Sequence, residues 1–463
     1  MTDHNAQLLR LCGFEADELD LVLPRAAETF TRLDLGQDDI RVAIDWVSQN
    51  HDVELRGARK LLRVWLNELF NLVLAREDNK QIVYYGFPTL GGLGMAIAQA
   101  SKQVLCASPE VILCHTLGQI FNKLSPVLEA GEENGLPPGH SLCTLQTIRV
   151  GALSKGIIPV PDIVLNSSFY CDMGAKTGGL LEYRYGLPNI IIDGSMDSDW
   201  GEFPAYSPER IAFLGGQLNK GIKQLEDILG ITVTPEAWNS GISASRTLFG
   251  TVGELTRLIN VDPQPISVVS LGLARFLATG CASGGLEEAN EAAKILVQEV
   301  NDRVAQGIGV VPKGSPRVMM FATHFSDPSV THMIENAGLA IPVMFMNAPL
   351  RMEPFETTYE TMGEKQAELE MKVGLFHSTY ALLKRWAEVT EDTDVDGGIW
   401  GYQFNCRPGA LPSHLLKKWA EAETGVPILL LEMDFYDSRQ YSAHNLQSRV
   451  ETFADMLREK QRL

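Results

Sequence analysis

Cys171 and Cys406 stand more than two hundred residues apart in near-matching frames. The first frame runs Pro161-Asp162-Ile-Val-Leu-Asn-Ser-Ser-Phe-Tyr-Cys171, a helix-like stretch, Gly186-Leu-Pro188, an apolar run and Asp193. The second runs Asp396-Gly-Gly-Ile-Trp-Gly-Tyr-Gln-Phe-Asn-Cys406, a helix-like stretch, Gly425-Val-Pro427, an apolar run and Glu432. In both, the acidic residue follows the proline by five positions. Each frame reads as strand, cysteine-bearing turn, helix, Gly-x-Pro turn and strand, a βαβ unit. Such turns lie at the carboxyl ends of parallel strands, where open α/β sheets place their ligands. Two half-sites of this kind, facing each other, can grip one cofactor.

Cys143 is the natural third member. It closes Gly139-His140-Ser-Leu-Cys143, just after Gly135-Leu-Pro-Pro-Gly139, and precedes a helical pattern over Thr144–Ser154. A cysteine at a helix N-terminus meets backbone N–H groups and a dipole that favour its thiolate. The other four cysteines read differently. Cys106, Cys114 and Cys281 sit inside apolar or helical runs and Cys12 in a terminal helix, the places where free cysteine serves as a small buried hydrophobe. There is no Cys-x2-Cys or His-x3-His pair, which excludes a zinc finger and a local ferredoxin-type sequence. Two readings of Cys143, Cys171 and Cys406 stand. They are three thiolates for an iron–sulfur cluster with one iron open as a Lewis acid, or three cysteines that merely fall in loops.

Weaker candidates flank this set. His324, in Ala-Thr-His-Phe-Ser-Asp327, follows a buried-strand pattern and is a catalytic candidate facing the same cleft; capping or packing explains it equally well. Arg351, in Asn347-Ala-Pro-Leu-Arg351-Met-Glu353, is a candidate for binding an anionic group. Arg439 reads as a structural ion-pair partner. His140 is placed either to tune a cluster or simply to meet solvent.

The elements that must position these residues divide the chain into four parts. Residues 1–82 predict a helical segment, with apolar faces at Ile40, Val42, Ala43, Trp46 and Val47 and again from Leu61 to Leu72. Residues 83–204 alternate short apolar runs with helical stretches, the pattern of an α/β lobe. Residues 205–310 predict a helical middle. It starts at Ser207-Pro208-Glu209 and continues through helices at 243–262, 266–280 and 286–306. A Gly- and Pro-rich boundary at 307–316 leads into a second α/β lobe, 311–463, whose strands include Arg317–Ala322 and Pro342–Met346 and whose last helix covers roughly 443–460. The fold class is thus α/β, two parallel-sheet lobes related by duplication. Gly91-Gly92-Leu93-Gly94 lacks the third glycine and the distant acid of a dinucleotide fingerprint and reads as a flexible turn.

Composition removes several functions. At 463 residues the chain is long enough for two or three cores. A formal charge of −19 argues against general nucleic-acid binding, although a local basic patch can still receive an anionic substrate. No run of eighteen apolar residues and no basic-then-apolar leader occurs, so the expected location is cytoplasmic, with no membrane partner. Seven cysteines, an odd number, argue against a disulfide framework. Without Gly-x4-Gly-Lys-Ser/Thr the chain is not expected to hydrolyse ATP itself.

With these residues in place, the chain resembles the 2-hydroxyacyl-CoA dehydratase / benzoyl-CoA reductase family. The likeness lies in Cys143-Thr-Leu-Gln-Thr-Ile-Arg149-Val-Gly151, Pro159-Val-Pro-Asp162 through Cys171-Asp172, and Cys406-Arg-Pro-Gly-Ala-Leu-Pro-Ser413. It continues in Asp434-Phe-Tyr-Asp437 through Gln447-Ser-Arg449-Val-Glu451-Thr-Phe453. It spans roughly 100–460, and the ending looks most like the larger, B-type reductase subunits. The resemblance implies flavodoxin-like lobes and a [4Fe–4S] cluster held by Cys143, Cys171 and Cys406. It also implies a homologous second cluster subunit, an ATP-hydrolysing activator that donates low-potential electrons, and an acyl-CoA substrate. In dehydratases of the family the electron makes a ketyl radical that expels hydroxide; in the reductases electrons enter an aromatic ring. Two alternatives accompany this reading: a homodimer with a double-cubane cluster, and a non-catalytic scaffold subunit that docks a catalytic partner.

Overall fold

In the computed structural model, the described residues are 4–87, 91–139, 142–194, 207–280, 285–321, 325–348, 357–373 and 379–462. Four helices come first: α1 (His4–Leu11), α2 (Leu19–Arg32), α3 (Gln37–Asn50) and α4 (Arg56–Val73). The apolar face predicted from Leu61 to Leu72 is buried along its length, and Trp65 lies fully inside. The start of α4 is capped from far away. Both Glu299 carboxylate oxygens accept the Arg56 and Gly57 N–H groups at 2.8 Å, satisfying two of the orphan donors of a helix N-terminus.

The first sheet follows, with β1 (Gln81–Tyr85), α5 (Gly91–Ala100), β2 (Val104–Ala107), α6 (Pro109–Leu113) and a π-helical turn, Cys114–Gly118. Then come α7 (Ser125–Glu133), α8 (Thr144–Lys155), β3 (Ile163–Ser167), α9 (Met173–Tyr185) and β4 (Asn189–Ile192). Four helices separate the sheets: α10 (Pro208–Leu229), α11 (Pro235–Ile259), α12 (Val268–Gly280) and α13 (Leu286–Gln306). The second sheet is built from β5 (Arg317–Phe321), α14 (Ser329–Asn336), β6 (Ala340–Met344), α15 (Met362–Val373), α16 (Thr379–Thr393), β7 (Gly397–Tyr402), α17 (Arg407–Ala410), α18 (Ser413–Thr424) and β8 (Ile428–Glu432). The helix α19 (Ala443–Arg462) closes the chain. No helix among the described residues is long and apolar enough to cross a membrane.

Both sheets are parallel and share one topology, β2-β1-β3-β4 and β6-β5-β7-β8. Helices cover both faces, which is why the central strands β1, β3, β5 and β7 are nearly continuous buried runs. The duplicated frame has duplicated reasons. Asp162 and Asp396 each stand just before a central strand, and each carboxylate accepts a backbone N–H from the start of the strand beside it, Ile82 or Arg317, at 2.7 Å. Gly186 and Gly425 each end the helix after the cysteine in the left-handed conformation that glycine adopts without a Cβ clash. Asp193 and Glu432 bond back to the neighbouring strand end, at Ser168 and Tyr402.

Two sequence expectations need correction. Gly91–Gly94 opens the helix α5 rather than forming a turn. The second middle helix begins at Pro235, eight residues before the predicted 243, because Thr234-Pro235-Glu236 repeats the capping signal of Ser207-Pro208-Glu209. The Thr234 hydroxyl accepts the Ala237 N–H at 3.2 Å and the Ser207 hydroxyl accepts the Arg210 N–H at 3.3 Å.

The helix that starts at Cys143 is seated by close backbone approach. A Cβ on Gly151 of α8 would stand 1.9 Å from the Val127 carbonyl of α7, and one on Gly131 of α7 would stand 2.4 Å from the Thr147 carbonyl. Neither neighbour is a side chain that can move aside. Gly151→Ala should therefore push the two helices apart and lower stability by about 1–3 kcal/mol, read as an earlier midpoint in urea unfolding of the full chain.

Candidate metal centre

Three cysteine-bearing turns reach the carboxyl ends of the two sheets. Cys143 is the N-cap residue of α8, in extended conformation. Cys171 follows β3 and precedes α9 by two positions. Cys406 follows β7 after Gln403-Phe404-Asn405; its N–H bonds the Gln403 carbonyl at 3.0 Å and its own carbonyl accepts from Ala410 at 2.7 Å. All three are half-buried, whereas Cys12, Cys106 and Cys114 are fully buried, as expected for core thiols. Cys281 and His140 lie outside the described residues, as do both weaker catalytic candidates, His324 and Arg351.

The three thiols share one electrostatic neighbourhood. Burial pushes the Cys143 thiol well above its ordinary value, and the charges of Cys406, Asp434 and Cys171 push it further, against a Leu145 N–H that favours the thiolate. Burial raises Cys406 to about 11; the Gly409 N–H opposes this, while Cys171 and Asp434 add to it. Among the described residues no basic side chain offsets either shift. Three thiolates here, alone, would repel one another in a desolvated crevice. A bound metal centre supplies the missing positive charge and drives off the protons. The donor set therefore fits a metal–thiolate group. Among the described residues no three His, Cys, Asp or Glu side chains lie close enough to hold a single metal ion.

Polar staples hold the turns together across the lobes. The Thr144 hydroxyl, next to Cys143, donates to Asp434 Oδ2, and the Asn405 amide, next to Cys406, donates to the Leu142 carbonyl. Asp434 Oδ1 accepts the Tyr436 and Asp437 N–H groups at 2.9 and 3.1 Å. Burial raises the Asp434 pKa, and its hydrogen bonds hold it down. Arg439 pairs with Asp437 at 2.8 Å and Glu132 at 2.6 Å, the structural ion pair expected of it. Thr144, Thr147, Asn405, Asp434 and Asp437 line a cavity of about 250 Å³ beside Cys143 and Cys406. A larger groove, about 670 Å³, lies along Val261–Pro263 and Val304–Lys313 and is lined by no cysteine.

Sequence reasoning passed over three members of this environment. Asp434 and Tyr436 enter through the Asp-x2-Asp stretch, which reads as a family mark without a role. Cys114 is a core thiol, yet it sits near enough for the Asp434 charge to raise its pKa and for its own charge to act on Tyr436. Its position on a π-helical turn, a distortion frequent at functional sites, is invisible in residue spacing.

Beneath Cys143 lies a fully buried ion pair. On α8, Arg149 Nε donates to Glu110 Oε2 at 3.0 Å, Nη2 reaches Glu110 Oε1, and Nη1 donates to Asn166 Oδ1 at 3.0 Å. Glu110 also accepts the Phe87 N–H at 2.6 Å. One guanidinium thus ties the Cys143 helix to the end of β3, which leads to Cys171, and to the turn after β1.

A family model described as 2-hydroxyglutaryl-CoA dehydratase, D-component, matches residues 111–457. The (R)-phenyllactyl-CoA dehydratase alpha subunit of Clostridium sporogenes is 23% identical over 319 residues, 69% of this chain and 76% of that one. The (R)-2-hydroxyisocaproyl-CoA dehydratase alpha subunit of Clostridioides difficile is 20% identical over 332 residues, 70% and 79% of the two chains. The (R)-2-hydroxyglutaryl-CoA dehydratase subunit alpha of Acidaminococcus fermentans is 22% identical over 338 residues, 70% and 65%.

Arg149→Met leaves the Glu110 carboxylate buried without its cation and should cost about 3–5 kcal/mol. The double variant Arg149→Met/Glu110→Gln should recover part of that loss. Equal denaturation midpoints for the single and double variants would refute the pairing.

Proposed function

From the membership of this chain in the 2-hydroxyacyl-CoA dehydratase family, we propose that it is the iron–sulfur subunit of an ATP-dependent radical dehydratase acting on an acyl-CoA thioester. One observation carries the reading: Cys143, Cys171 and Cys406, at the carboxyl ends of both sheets, lie near enough for their charges to act on one another. The three thiolates would hold a [4Fe–4S] cluster. When bound, such a cluster supplies single low-potential electrons and, at an iron without a cysteine, a Lewis acid for a thioester carbonyl.

The rest falls to the chain's own groups. The Gly409 and Leu145 N–H groups, which favour the charged sulfurs of Cys406 and Cys143, would stabilise the ligand thiolates. The Thr144–Asp434 and Asn405–Leu142 bonds fix the spacing of the two cysteine loops. Asp434, anchored by two backbone N–H groups, places negative charge beside the sulfurs and disfavours stray anions there. The rings of Phe325, Phe435 and Tyr436 pack edge to face and would help keep water from the crevice, a condition that protects a reactive radical. Electrons would come from a separate ATP-hydrolysing activator, and a homologous second subunit would complete the enzyme, in keeping with relatives named as alpha subunits.

The relatives are dehydratase subunits, which favours elimination from a 2-hydroxyacyl group over aromatic ring reduction. The double-cubane reading gains no ligand from Cys12 or Cys106, both buried in the apolar core.

Iron and sulfide analysis with EPR on anaerobically purified protein tests the proposal. A four-iron cluster predicts about four irons per chain, with the signal lost in Cys143→Ala, Cys171→Ala and Cys406→Ala and kept in Cys106→Ala. About eight irons would point to the double-cubane alternative, and none after reconstitution to a scaffold subunit.

A further inference from the structure

Among the described residues, Arg275 is a cation without a counter-charge. It lies half-buried on α12, its guanidinium carbon 4.3 Å from the centre of the Phe249 ring of α11. Among the described residues no carboxylate pairs with it, and burial alone draws its pKa down to about 10. The guanidiniums that are buried are matched: Arg149 by Glu110, and Arg385 by Glu388 and the Ala348 carbonyl.

Its surroundings place it at the ligand end of the fold. Ile242 of α11 packs against Gly92, and Gly241 against Met95 and Ala96, so α11 runs antiparallel to α5. Phe249 is seven residues beyond Ile242, hence on the same helix face and about 10 Å further along. That carries it past the first turn of α5, the turn that follows the carboxyl end of β1. A second contact gives the same location. Phe276, next to Arg275, lies 5.1 Å from the ring of His115 on the π-helical turn, and Gly118 of that turn abuts Ser326, just beyond β5 in the other lobe. The guanidinium therefore stands beside the crevice where the two sheets end.

We propose that Arg275, backed by the Phe249 ring, is a receptor for an oxyanion of the thioester substrate: a phosphate of the carrier or a carboxylate of the acyl chain. The inference rests on the acyl-CoA reading above. A planar guanidinium held on an aromatic face presents its free N–H fork to such a group in bidentate fashion. The Phe249 ring keeps the side chain in place while the site is empty.

Calorimetry on the anaerobic full chain, with free CoA and with the pantetheine thioester of succinate, separates the sources. Arg275→Gln should weaken the anion-bearing probe about tenfold to a hundredfold, the worth of charge-assisted hydrogen bonds, and Arg275→Lys should restore part of it. An effect on free CoA identifies the carrier phosphate; an effect on the succinyl thioester identifies an acyl carboxylate. Unchanged affinity for both probes in Arg275→Gln overturns the inference and leaves the acyl-CoA reading standing. Failure of the wild-type chain to bind either probe overturns both. If the glutamine variant does not fold, phenylglyoxal labelling of Arg275 in the wild type gives the answer by peptide mass spectrometry. Labelling slowed severalfold by saturating probe supports the receptor, and an unchanged rate refutes it.

Discussion

Everything near the cysteines depends on one constraint: the amino-terminal end of α8 must touch the second lobe while its body stays packed in the first. Thr144 reaches Asp434 and Leu142 receives Asn405, so the loop of Cys143 is tied to residues beyond β7 and β8. Deeper in the helix, Gly151 and Gly131 allow backbone contact with α7, and Arg149 binds Glu110 and Asn166. Remove the small residues and the helix lifts; remove the polar ends and the lobes lose their register. The centre is therefore a property of the interface, owned by neither sheet.

The duplication explains two of the three thiols and leaves the third as the asymmetric member. Cys171 and Cys406 occupy the same position in equivalent βαβ units, each behind an aspartate that braces the neighbouring strand and ahead of a glycine-capped helix. Cys143 comes from a loop before α8, which belongs to the first lobe alone. Two equivalent thiols and one inequivalent one make a lopsided set.

The N-terminal helices are more than an appendage. Trp65 stacks on His115 at 3.9 Å, nearly parallel, and donates to the Leu273 carbonyl at 3.3 Å. His51 bonds the Gln119 carbonyl and His332 the Asn50 carbonyl, at 3.0 and 2.9 Å. Burial pulls the His51 pKa down to about 4, so a neutral ring joins the segment to the first lobe. The four helices thus wall in the π-helical turn from behind and support the crevice without lining it. The family match starts at residue 111, downstream of all four.

Much of this was legible in the residues. Hydrophobic runs, Gly-x-Pro turns and the Ser207-Pro208-Glu209 cap announce parallel α/β lobes around a helical middle, because strand burial and helix capping are decided within a dozen residues; the second cap, Thr234-Pro235-Glu236, was passed over. The repeated Asp-to-Cys frame marked Cys171 and Cys406 for the same reason, and the Gly/Pro loop marked Cys143. The opening of α5 at Gly91 was missed, since glycine signals a turn in sequence, and only the tertiary structure shows Gly92 packed against Ile242 and Gln366. Asp434, Cys114 and Arg275 were also beyond reach: one is a loop acid, one a core thiol, one an ordinary helix arginine until their neighbours are known. What the sequence by itself determined is which elements form and which residues stand at their ends. Which ends meet, and whether a charge finds a partner, was decided only by tertiary structure, because burial and Coulomb interaction act between groups hundreds of residues apart.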